Sequence, residues 1–250
     1  MCTGEAGIDT QKAIILAAGK GVRMKSSLPK VLHTLSGKPL ISHVIDNIRE
    51  AGINDMIVVI GYEGEQVQKT VDKNAEFVWQ HQQLGTGHAV MQAEPVLKGY
   101  EGNVLIACGD VPLIRPETFH ALAEAANEPS VGAVVLTMKV DEPGGYGRIV
   151  RDDEGYLDRI VEHKDASEEI RQIKEVNTGT YVFNAAKLFS GLGTINTDNA
   201  QGEYYLPDAL QYIRDNGQKV ALVTLENPVE GSGINSREEL ERLEGIINAR

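Results

Sequence analysis

The 250-residue sequence predicts an α/β protein with a Rossmann-like, doubly wound and mostly parallel sheet. Short apolar runs of strand length alternate with amphipathic segments through the first half of the chain, as strands and crossover helices do in such sheets. These runs are nearly continuous in apolar residues, which is typical of strands buried on both faces. A glycine turn at residues 19–21 directly follows the first run.

The elements of the first half follow in chain order. Between the first two strands, apolar residues from Leu40 to Ile48 recur at helical spacing, with Pro39 suited to a first turn and Gly52 just past the end. Ligands bind at the carboxyl ends of the strands in such sheets, where Gly19 and Asp110 both lie. The strands predicted for this sheet are residues 13–18, 56–60, 76–79, 103–108 and 132–140.

The second half reads as a β-rich lobe laid over the first, with turn residues rather than helices between its strands. Its predicted strands are residues 147–152, 156–163 and 180–184, and helices are predicted at 203–216 and 236–249. Asn235-Ser236 followed by two glutamates is typical of a helix start. No linker separates independent domains. We therefore expect a tail (1–12) and one domain (13–250), comprising a first lobe (13–112), a second lobe (113–235) and a C-terminal helix (236–250).

Composition narrows the class of partner and the compartment. A formal net charge of −12 argues against duplex nucleic acid and favours a small phosphorylated ligand. The only cysteines, Cys2 and Cys108, are far apart, which predicts a reducing compartment, by default the cytoplasm. No apolar run approaches the roughly 18 residues of a membrane span, and residues 1–12 lack a signal-peptide core. A soluble protein is therefore expected.

A cationic segment interrupts this acidic chain. From Thr10 to Ile45 there is no Asp or Glu. A solvated surface face is the plain alternative, but a glycine turn beside an arginine after a buried strand favours an anion-binding cradle. The basic residues of the segment are Lys12, Lys20, Arg23, Lys25, Lys30 and Lys38.

Two standard phosphate fingerprints fail at this turn. Met24 stands where a dinucleotide fingerprint needs its third glycine, and it also replaces the glycine of a Walker A motif that Lys25-Ser26 would otherwise match. A hydride-transferring enzyme and a P-loop hydrolase therefore both lose support. Arg23, with its planar fork, and Lys30, a compact point charge, remain as phosphate ligands.

The motif LAAGKGVRM (16–24) followed by PKVL (29–32) resembles the signature of sugar-nucleotide pyrophosphorylases, which activate sugar 1-phosphates. Further motifs narrow the resemblance to the N-acetylglucosamine-1-phosphate uridyltransferases, from about residue 13 to the C-terminus, and imply a GT-A-like nucleotidyltransferase fold. These motifs are QLGTGHA (83–89), GDVPLI (109–114), GYGRI (145–149), VEHKDA (161–166), VNTG (176–179) and NAQGEYYLPD (199–208).

This resemblance implies UTP and N-acetylglucosamine 1-phosphate as substrates, Mg²⁺ as cofactor and a product used in peptidoglycan synthesis. It implies catalytic roles for Arg23, Lys30 and Asp110, with Asp110 and Asn235 as metal ligands. Two hard oxygen ligands suit Mg²⁺ rather than zinc. It places Gly147, Glu162 and Asn177 against the sugar. It also implies that the first lobe is a nucleotide-binding lobe, in which the residues at 80, 85 and 86 contact uracil. The residues implied to bind the nucleotide are Leu16, Ala17, Ala18, Gly19, Gln80, Gly85, Thr86, Cys108 and Gly109.

Local patterns leave alternatives open. Taken alone, Gly85 and Gly147 are also typical turn glycines, and Thr86 and Asn177 typical caps. Asp110 is less ambiguous, because a carboxylate after a buried strand costs free energy unless it is paired or metal-bound. The six histidines, at positions 33, 43, 81, 88, 120 and 163, are interpreted as structural or surface residues, the last of them as support for its neighbour at 162.

The chain departs from the family pattern at three positions. Cys108 replaces an aromatic residue, Ser232 an acidic one and Ile234 a valine, whereas Asn235 is kept. The alternative functions are transfer from dTTP or CTP and a non-catalytic sugar-nucleotide sensor. The sensor is disfavoured because it needs affinity without transition-state charges.

Related enzymes often carry a C-terminal hexapeptide β-helix that acetylates glucosamine 1-phosphate. No hexapeptide periodicity occurs here, so this polypeptide alone is not expected to acetylate. Truncation and a natural single-domain enzyme both stay open. The oligomeric state stays open too, with a trimer expected only if a β-helix exists in the native protein.

Overall fold

A computed structural model describes residues 10–71 and 74–248. Residues 1–9 of the predicted tail, with Cys2, lie outside the described residues. The strands are β1 (Thr10–Ala17), β2 (Thr34–Leu35), β3 (Lys38–Pro39), β4 (Asp55–Ile60), β5 (Glu76–Trp79), β6 (Asn103–Cys108), β7 (Val131–Lys139), β8 (Arg148–Arg151), β9 (Leu157–Val161), β10 (Glu175–Asn184) and β11 (Lys219–Leu225).

The helices cover both faces of the main sheet. They are α1 (Leu40–Glu50), α2 (Gly64–Thr70), α3 (Thr86–Met91), α4 (Glu94–Leu97), α5 (Pro116–Ala126), α6 (Glu168–Arg171), α7 (Ala185–Leu192), α8 (Ala209–Asp215) and α9 (Arg237–Asn248). Short 3-10 turns occur at Val22–Met24, Lys30–Leu32 and Leu206–Asp208. No helix of the described ranges has both the length and the apolar character needed to cross a membrane.

The main sheet has the strand order β11-β7-β10-β6-β1-β4-β5. Neighbouring strands on this path are parallel, except that β10 runs antiparallel to both β7 and β6. The chain reaches β10 from β7 through the β8–β9 hairpin and α6 rather than a helical crossover, and such a connection permits antiparallel pairing. The predicted doubly wound, mostly parallel sheet is therefore confirmed.

The order of strands reverses at β1. The chain passes from β1 to β4 and β5 on one side, and then returns to β6 on the other side of β1. Just past the two strand ends, the Gly109 N–H donates to the Leu16 carbonyl at 2.9 Å. This switch point is the crevice in which open α/β sheets bind ligands.

Both faces of β1 are buried, which explains its unbroken apolar sequence. Ile15 packs on one face with α1, α2 and α5, and Ile14 packs on the other with α3, α7 and α8. Fully burying an aliphatic side chain of this size stabilises the fold by about 1.5–3 kcal/mol.

Element boundaries differ most from expectation at β1, at β10 and at the helix predicted for residues 203–216. β1 begins at Thr10, inside the predicted tail, and β10 begins at Glu175, so that Asn177 belongs to the strand. The helix predicted at 203–216 is wrong in its first part. There the chain folds back on an earlier loop: the Tyr204 N–H donates to the Leu84 carbonyl, and the Tyr204 carbonyl accepts from the Gly87 N–H, both at 2.8 Å.

The second half is β-rich as expected, but its strands are not laid over the first half. β7, β10 and the unpredicted β11 extend the same sheet, and the β8–β9 hairpin alone leaves it, through the pairing of Arg148 with Val176. These strands extend the main sheet because the chain between them runs through the helices α5, α7 and α8. Such helical connections let β7 and β11 join the parallel arrangement.

Candidate active site

The glycine turn after β1 contains Gly19 and Gly21, which have different surroundings. Packing requires glycine at position 21, whereas position 19 has open space beside it. Gly21 has φ +62°, and a Cβ there would lie 2.6 Å from the Lys30 Cβ. Its missing side chain therefore lets Lys30 pack against the turn. A Cβ on Gly19 would meet no atom within 4 Å, so that position faces open space.

Lys30 joins the ends of two segments that are distant in sequence. Its Nζ donates to Asp110 Oδ2 and, at 2.9 Å, to Asn235 Oδ1. The Ile234 N–H donates to the Asp110 carbonyl at 2.9 Å, which holds Asn235 beside the end of β6. The lysine and aspartate side chains are only 18% and 15% exposed, so solvent screens their pairing weakly.

A first cavity of about 350 Å³ opens at the switch point beside this lysine. Lys30 and Asp110 form part of its wall. Gly109, also predicted for the nucleotide, does not line the cavity and instead ties the end of β6 to β1. The other residues predicted for the nucleotide all line it: Leu16, Ala17, Ala18, Gly19, Gln80, Gly85, Thr86 and Cys108.

In the wall of this cavity, a buried amide organises the loop before α3. Gln80 is 3% exposed, and its Nε2 lies 3.0 Å from the Gly85 carbonyl and 3.1 Å from His88 Nδ1. Gly85 has φ +108°, and a Cβ there would lie 2.6 Å from the Tyr204 carbonyl. The Thr86 hydroxyl accepts from the Leu206 N–H at 3.1 Å. The sequence motifs at residues 83–89 and 199–208 therefore pack together as one unit.

A second cavity of about 540 Å³ adjoins the first. The two share Thr86, and they meet where Lys30 contacts Asn235. Arg23 is exposed and lines this second cavity, although it was predicted beside the phosphates of the nucleotide. The residues predicted for the sugar, Gly147, Glu162 and Asn177, line it as well.

Close backbone contacts shape the second cavity. A Cβ on Gly147 would lie 3.0 Å from Glu162 Oε1, so glycine lets the carboxylate approach the chain. The Asn177 N–H donates to the Gly147 carbonyl at 2.9 Å. The Asn177 amide donates to Tyr181 Oη at 2.6 Å and accepts from the Gly179 N–H at 3.0 Å. These bonds hold the cavity wall in one arrangement.

The electrostatics of this cavity centre on Glu162. Burial, and after it the nearby carboxylates of Asp208 and Asp165, raise its pKa to about 7 against the opposing effect of Arg148. At neutral pH the carboxyl group therefore exchanges between a proton donor and a proton acceptor, and it can bond a ligand hydroxyl in either form.

The departures from the family pattern are accommodated locally. Cys108 Sγ donates to the Gly179 carbonyl at 3.4 Å, and burial raises the thiol pKa to about 12, so the thiol stays neutral. Ser232 donates its N–H to the Val229 carbonyl at 3.2 Å. Neither contact interferes with the bond between Lys30 and Asn235.

Several site residues were missed from the sequence. Tyr146 Oη accepts from the Gly233 N–H at 3.2 Å and links the second cavity to the Asn235 segment. Glu239 accepts from the Asn235 N–H at 2.6 Å. Both lay inside motifs already noted, GYGRI and the helix start after Asn235, so closer attention to those motifs could have found them. His163, expected to support Glu162, has a buried Nδ1 without a hydrogen-bond partner.

The residues between the two cavities fit a hard cation. Asp110 and Asn235 direct oxygens at one point, which the Lys30 ammonium group occupies in this structure. Among residues 10–71 and 74–248, no group of three or more His, Cys, Asp or Glu side chains could hold a metal. A cation bound here would need further oxygen ligands from a substrate, as Mg²⁺ does at phosphates.

Two cavities meet at the switch point of a mostly parallel sheet, beside a glycine turn, a lysine and an acidic residue. This arrangement defines a nucleotide-binding α/β protein. The chain belongs to the MobA-like NTP transferase family, whose model matches residues 13–191. Asn235 and α9 lie beyond the matched part.

Similar proteins agree with this membership. The bifunctional protein GlmU of Oceanobacillus iheyensis is 46% identical over 238 residues, and that of Bacillus cereus strain AH187 is 47% identical over the same length. Each match covers 95% of this chain and 52% of the relative, so the chain spans about half the length of these curated relatives.

A solved structure of UDP-glucose pyrophosphorylase complexed with UDP-glucose superposes with a TM-score of 0.78. It is 21% identical in sequence, and the match covers 96% of this chain and 99% of that one. This likeness confirms the fold, including the extension of the sheet through the second half.

Proposed function

We propose that this chain transfers the uridylyl group of UTP to N-acetylglucosamine 1-phosphate, giving UDP-N-acetylglucosamine and pyrophosphate. The observation that carries the proposal is the meeting of two cavities at Lys30, Asp110 and Asn235, because a group transfer needs two substrates held against one set of charges. The family membership and the uridyltransferase-like motifs support it.

The first cavity receives the nucleotide in this proposal. Gly19 leaves room for the nucleotide at the end of β1, and Gln80, Gly85 and Thr86 meet the base. The second cavity receives the amino sugar, with Glu162 bonding its hydroxyls and Asn177 positioning the wall at Gly147. Each substrate then enters its own cavity, with its phosphates directed toward Lys30.

The reaction is an in-line displacement at phosphorus. A phosphate oxygen of the sugar phosphate forms a bond to the α-phosphorus of UTP, and the bond from that phosphorus to the bridging oxygen breaks as pyrophosphate leaves with the electron pair. A phosphate monoester has a second pKa near 6, so its oxygen is largely ionised at pH 7 and no general base is needed. The barrier is mostly charge repulsion.

Lys30 changes partner during binding. Its ammonium group leaves Asp110 for the triphosphate, whose oxygens are stronger competitors for a cation in a partly dry cavity. Arg23, from the side of the second cavity, adds a second positive charge. Both then offset the charge that develops on the departing pyrophosphate.

The oxygens that Lys30 releases are those of Asp110 and Asn235. We propose that these two residues hold a divalent cation, Mg²⁺, together with phosphate oxygens. When bound, the ion would neutralise phosphate charge and so reduce the repulsion between the substrates.

A substrate panel tests the proposal. Pyrophosphate release is measured with UTP, dTTP or CTP, each with N-acetylglucosamine 1-phosphate or glucose 1-phosphate, in Mg²⁺ and in EDTA. We expect metal-dependent release that is fastest with UTP and the N-acetylated sugar. Faster release with dTTP or CTP would instead assign a different nucleotidyltransferase. Tight binding of UDP-N-acetylglucosamine without any release would support a sensor.

A further inference from the structure

The amide of Gln80 has a fixed orientation. Its Nε2 lies 3.0 Å from the Gly85 carbonyl and 3.1 Å from His88 Nδ1. An amide nitrogen carries two hydrogens, and these two contacts use both. If the amide were rotated by 180°, its oxygen would lie against the Gly85 carbonyl oxygen and the two would repel each other. Gln80 is too buried for water to relieve that repulsion.

The other atom of this amide is left for a ligand. Gln80 lines the first cavity, and among the described residues no donor reaches its Oε1. In this orientation the side chain offers the cavity a hydrogen-bond acceptor and no donor. A ligand group that meets Gln80 must therefore carry a hydrogen.

His88 accepts from Gln80 only in one tautomer, with Nδ1 bare and the proton on Nε2. A second amide competes for the opposite tautomer, because Gln92 Nε2 lies 3.3 Å from His88 Nε2. Gln92 is half-buried and already donates to the His88 carbonyl at 2.9 Å, so its second hydrogen can reach water. The second hydrogen of Gln80 Nε2 cannot reach water in this way. The contact between Gln80 Nε2 and His88 Nδ1 therefore fixes the tautomer with the proton on Nε2.

We infer that His88 is a positioning residue that holds the Gln80 amide so that the cavity selects nucleotides whose base carries a ring N–H over those that present a bare ring nitrogen. This inference rests on the proposed function and deepens it. Uracil and thymine present N3–H to an acceptor, whereas cytosine presents a lone pair at N3 that the Gln80 oxygen repels. Discrimination at this position therefore depends on a residue that need not touch the base.

Two substitutions separate the lone pair of His88 from its bulk. His88→Phe keeps an aromatic ring against Tyr204, whose ring centroid is 6.3 Å from that of His88, but removes the acceptor. His88→Asn loses the ring but keeps an acceptor oxygen near the position of Nδ1. If the acceptor matters, Asn preserves the selectivity and Phe does not; if packing matters, the order reverses.

The experiment measures dissociation constants for UTP, dTTP and CTP by calorimetry, and the KM of each substrate by pyrophosphate release. For His88→Phe we expect the preference for UTP over CTP to fall about tenfold, the worth of one typical hydrogen bond. The preference for dTTP over CTP should fall in parallel, because thymine and uracil share the same ring edge. The KM for the sugar phosphate and the melting temperature should change little.

Three results would overturn the inference: an unchanged ratio of UTP to CTP affinity in His88→Phe, an equal loss for all three nucleotides, or a larger loss of selectivity in His88→Asn than in His88→Phe. If His88→Phe does not fold, a retained wild-type ratio in His88→Asn and its loss in His88→Ala decide the question. Wild-type protein that releases no pyrophosphate from UTP fails the proposed function instead, and the binding ratios still test His88.

Discussion

At the scale of single residues, the site depends on missing side chains as well as on charged ones. Gly21 and Gly19 are two positions apart, yet the first is needed for packing and the second borders open space. This difference arises because the turn places Gly21 against Lys30 and leaves Gly19 at the cavity wall.

The two glycines give a matched pair of substitutions. Gly21→Ala should destabilise the fold by on the order of 1–3 kcal/mol, because alanine is strained at positive φ and would also displace Lys30. Gly19→Ala should keep the wild-type stability and weaken UTP binding, since its methyl group enters ligand space. Urea unfolding and UTP calorimetry on both variants check this. A Gly19→Ala protein that binds UTP normally would contradict the account.

Asp110 pairs with Lys30 in the structure, and we propose that it is also the charged metal ligand. Asp110→Asn should raise the Mg²⁺ concentration needed for half-maximal activity and lower kcat roughly 100- to 1000-fold, the usual effect of losing a group that stabilises transition-state charge. The control is Asn235→Asp, which adds a carboxylate and should lower the Mg²⁺ requirement. Direct ligation is ruled out if Asp110→Asn titrates with Mg²⁺ as the wild type does.

Glu162 makes stability depend on pH in a defined direction. Its folded pKa, about 7, lies above the usual 4.5, so the native state keeps a proton that the unfolded chain has lost between these values. This contribution is fully present below pH 4.5 and is lost as the pH rises through 7. Glu162→Gln should therefore be more stable than the wild type at pH 8, by on the order of 2 kcal/mol, and equal to it near pH 4.5. Urea unfolding at several pH values measures this, and identical pH profiles would refute the assignment.

At the scale of elements, the segment between β11 and α9 carries Asn235 and is anchored by a buried carboxylate. Glu230 is 5% exposed, and it accepts from Arg115 Nε at 2.7 Å and from the Thr118 hydroxyl at 2.9 Å. Both donors lie at the start of α5. The anchor therefore ties the segment that carries Asn235 to a helix that packs on the main sheet.

Removing this anchor should affect both stability and metal use. Glu230→Ala leaves the Thr118 hydroxyl buried without its partner, at a cost of about 1–3 kcal/mol, and should raise the Mg²⁺ requirement because Asn235 loses its support. Arg115→Lys is the control: it keeps a positive charge beside the buried carboxylate, so it should cost less stability than Glu230→Ala. Thermal unfolding and Mg²⁺ titration of both variants are the measurements. Equal costs for the two variants would contradict the assigned anchor.

Most strands that were predicted correctly have an apolar sequence that indicates their burial. The runs that became β4 and β6 are apolar because helices cover both faces, and their bounds were predicted within a residue. β5 and β11 are the two half-buried edge strands of this sheet. The first was predicted from its aromatic and β-branched residues, whereas the second was missed although residues 220–223 form a similar apolar run. The path of residues 199–205 depends on hydrogen bonds to the loop before α3, which no local pattern contains.

The same limit applies to the candidate site. The position of Gly19 and Asp110 at adjacent strand ends followed from the strand pattern and the switch-point rule. The contact of Asn235 with Lys30, and the separate cavity lined by Arg23, depend on how distant segments pack together. His88 was interpreted as structural because a single histidine on a short helix carries no signal of the amide it faces.

At the scale of the whole molecule, the sheet joins the two cavities in one rigid frame. β1 and β6 present the first cavity, and β10, antiparallel and continuous with them, contributes Asn177 to the wall of the second. The two cavities are therefore fixed relative to each other by backbone hydrogen bonds. This arrangement suits a reaction whose rate depends on aligning two phosphates.

We propose that these cavities bring UTP and a sugar phosphate together at Lys30, Asp110 and Asn235. The most direct test follows UTP and N-acetylglucosamine 1-phosphate with the protein by phosphorus NMR, first with Mg²⁺ and then with EDTA. We expect UDP-N-acetylglucosamine and pyrophosphate to appear in equal amounts, only with Mg²⁺ and only when both substrates are present. Conversion of UTP to UMP and pyrophosphate without the sugar phosphate, or no conversion at all, would contradict it.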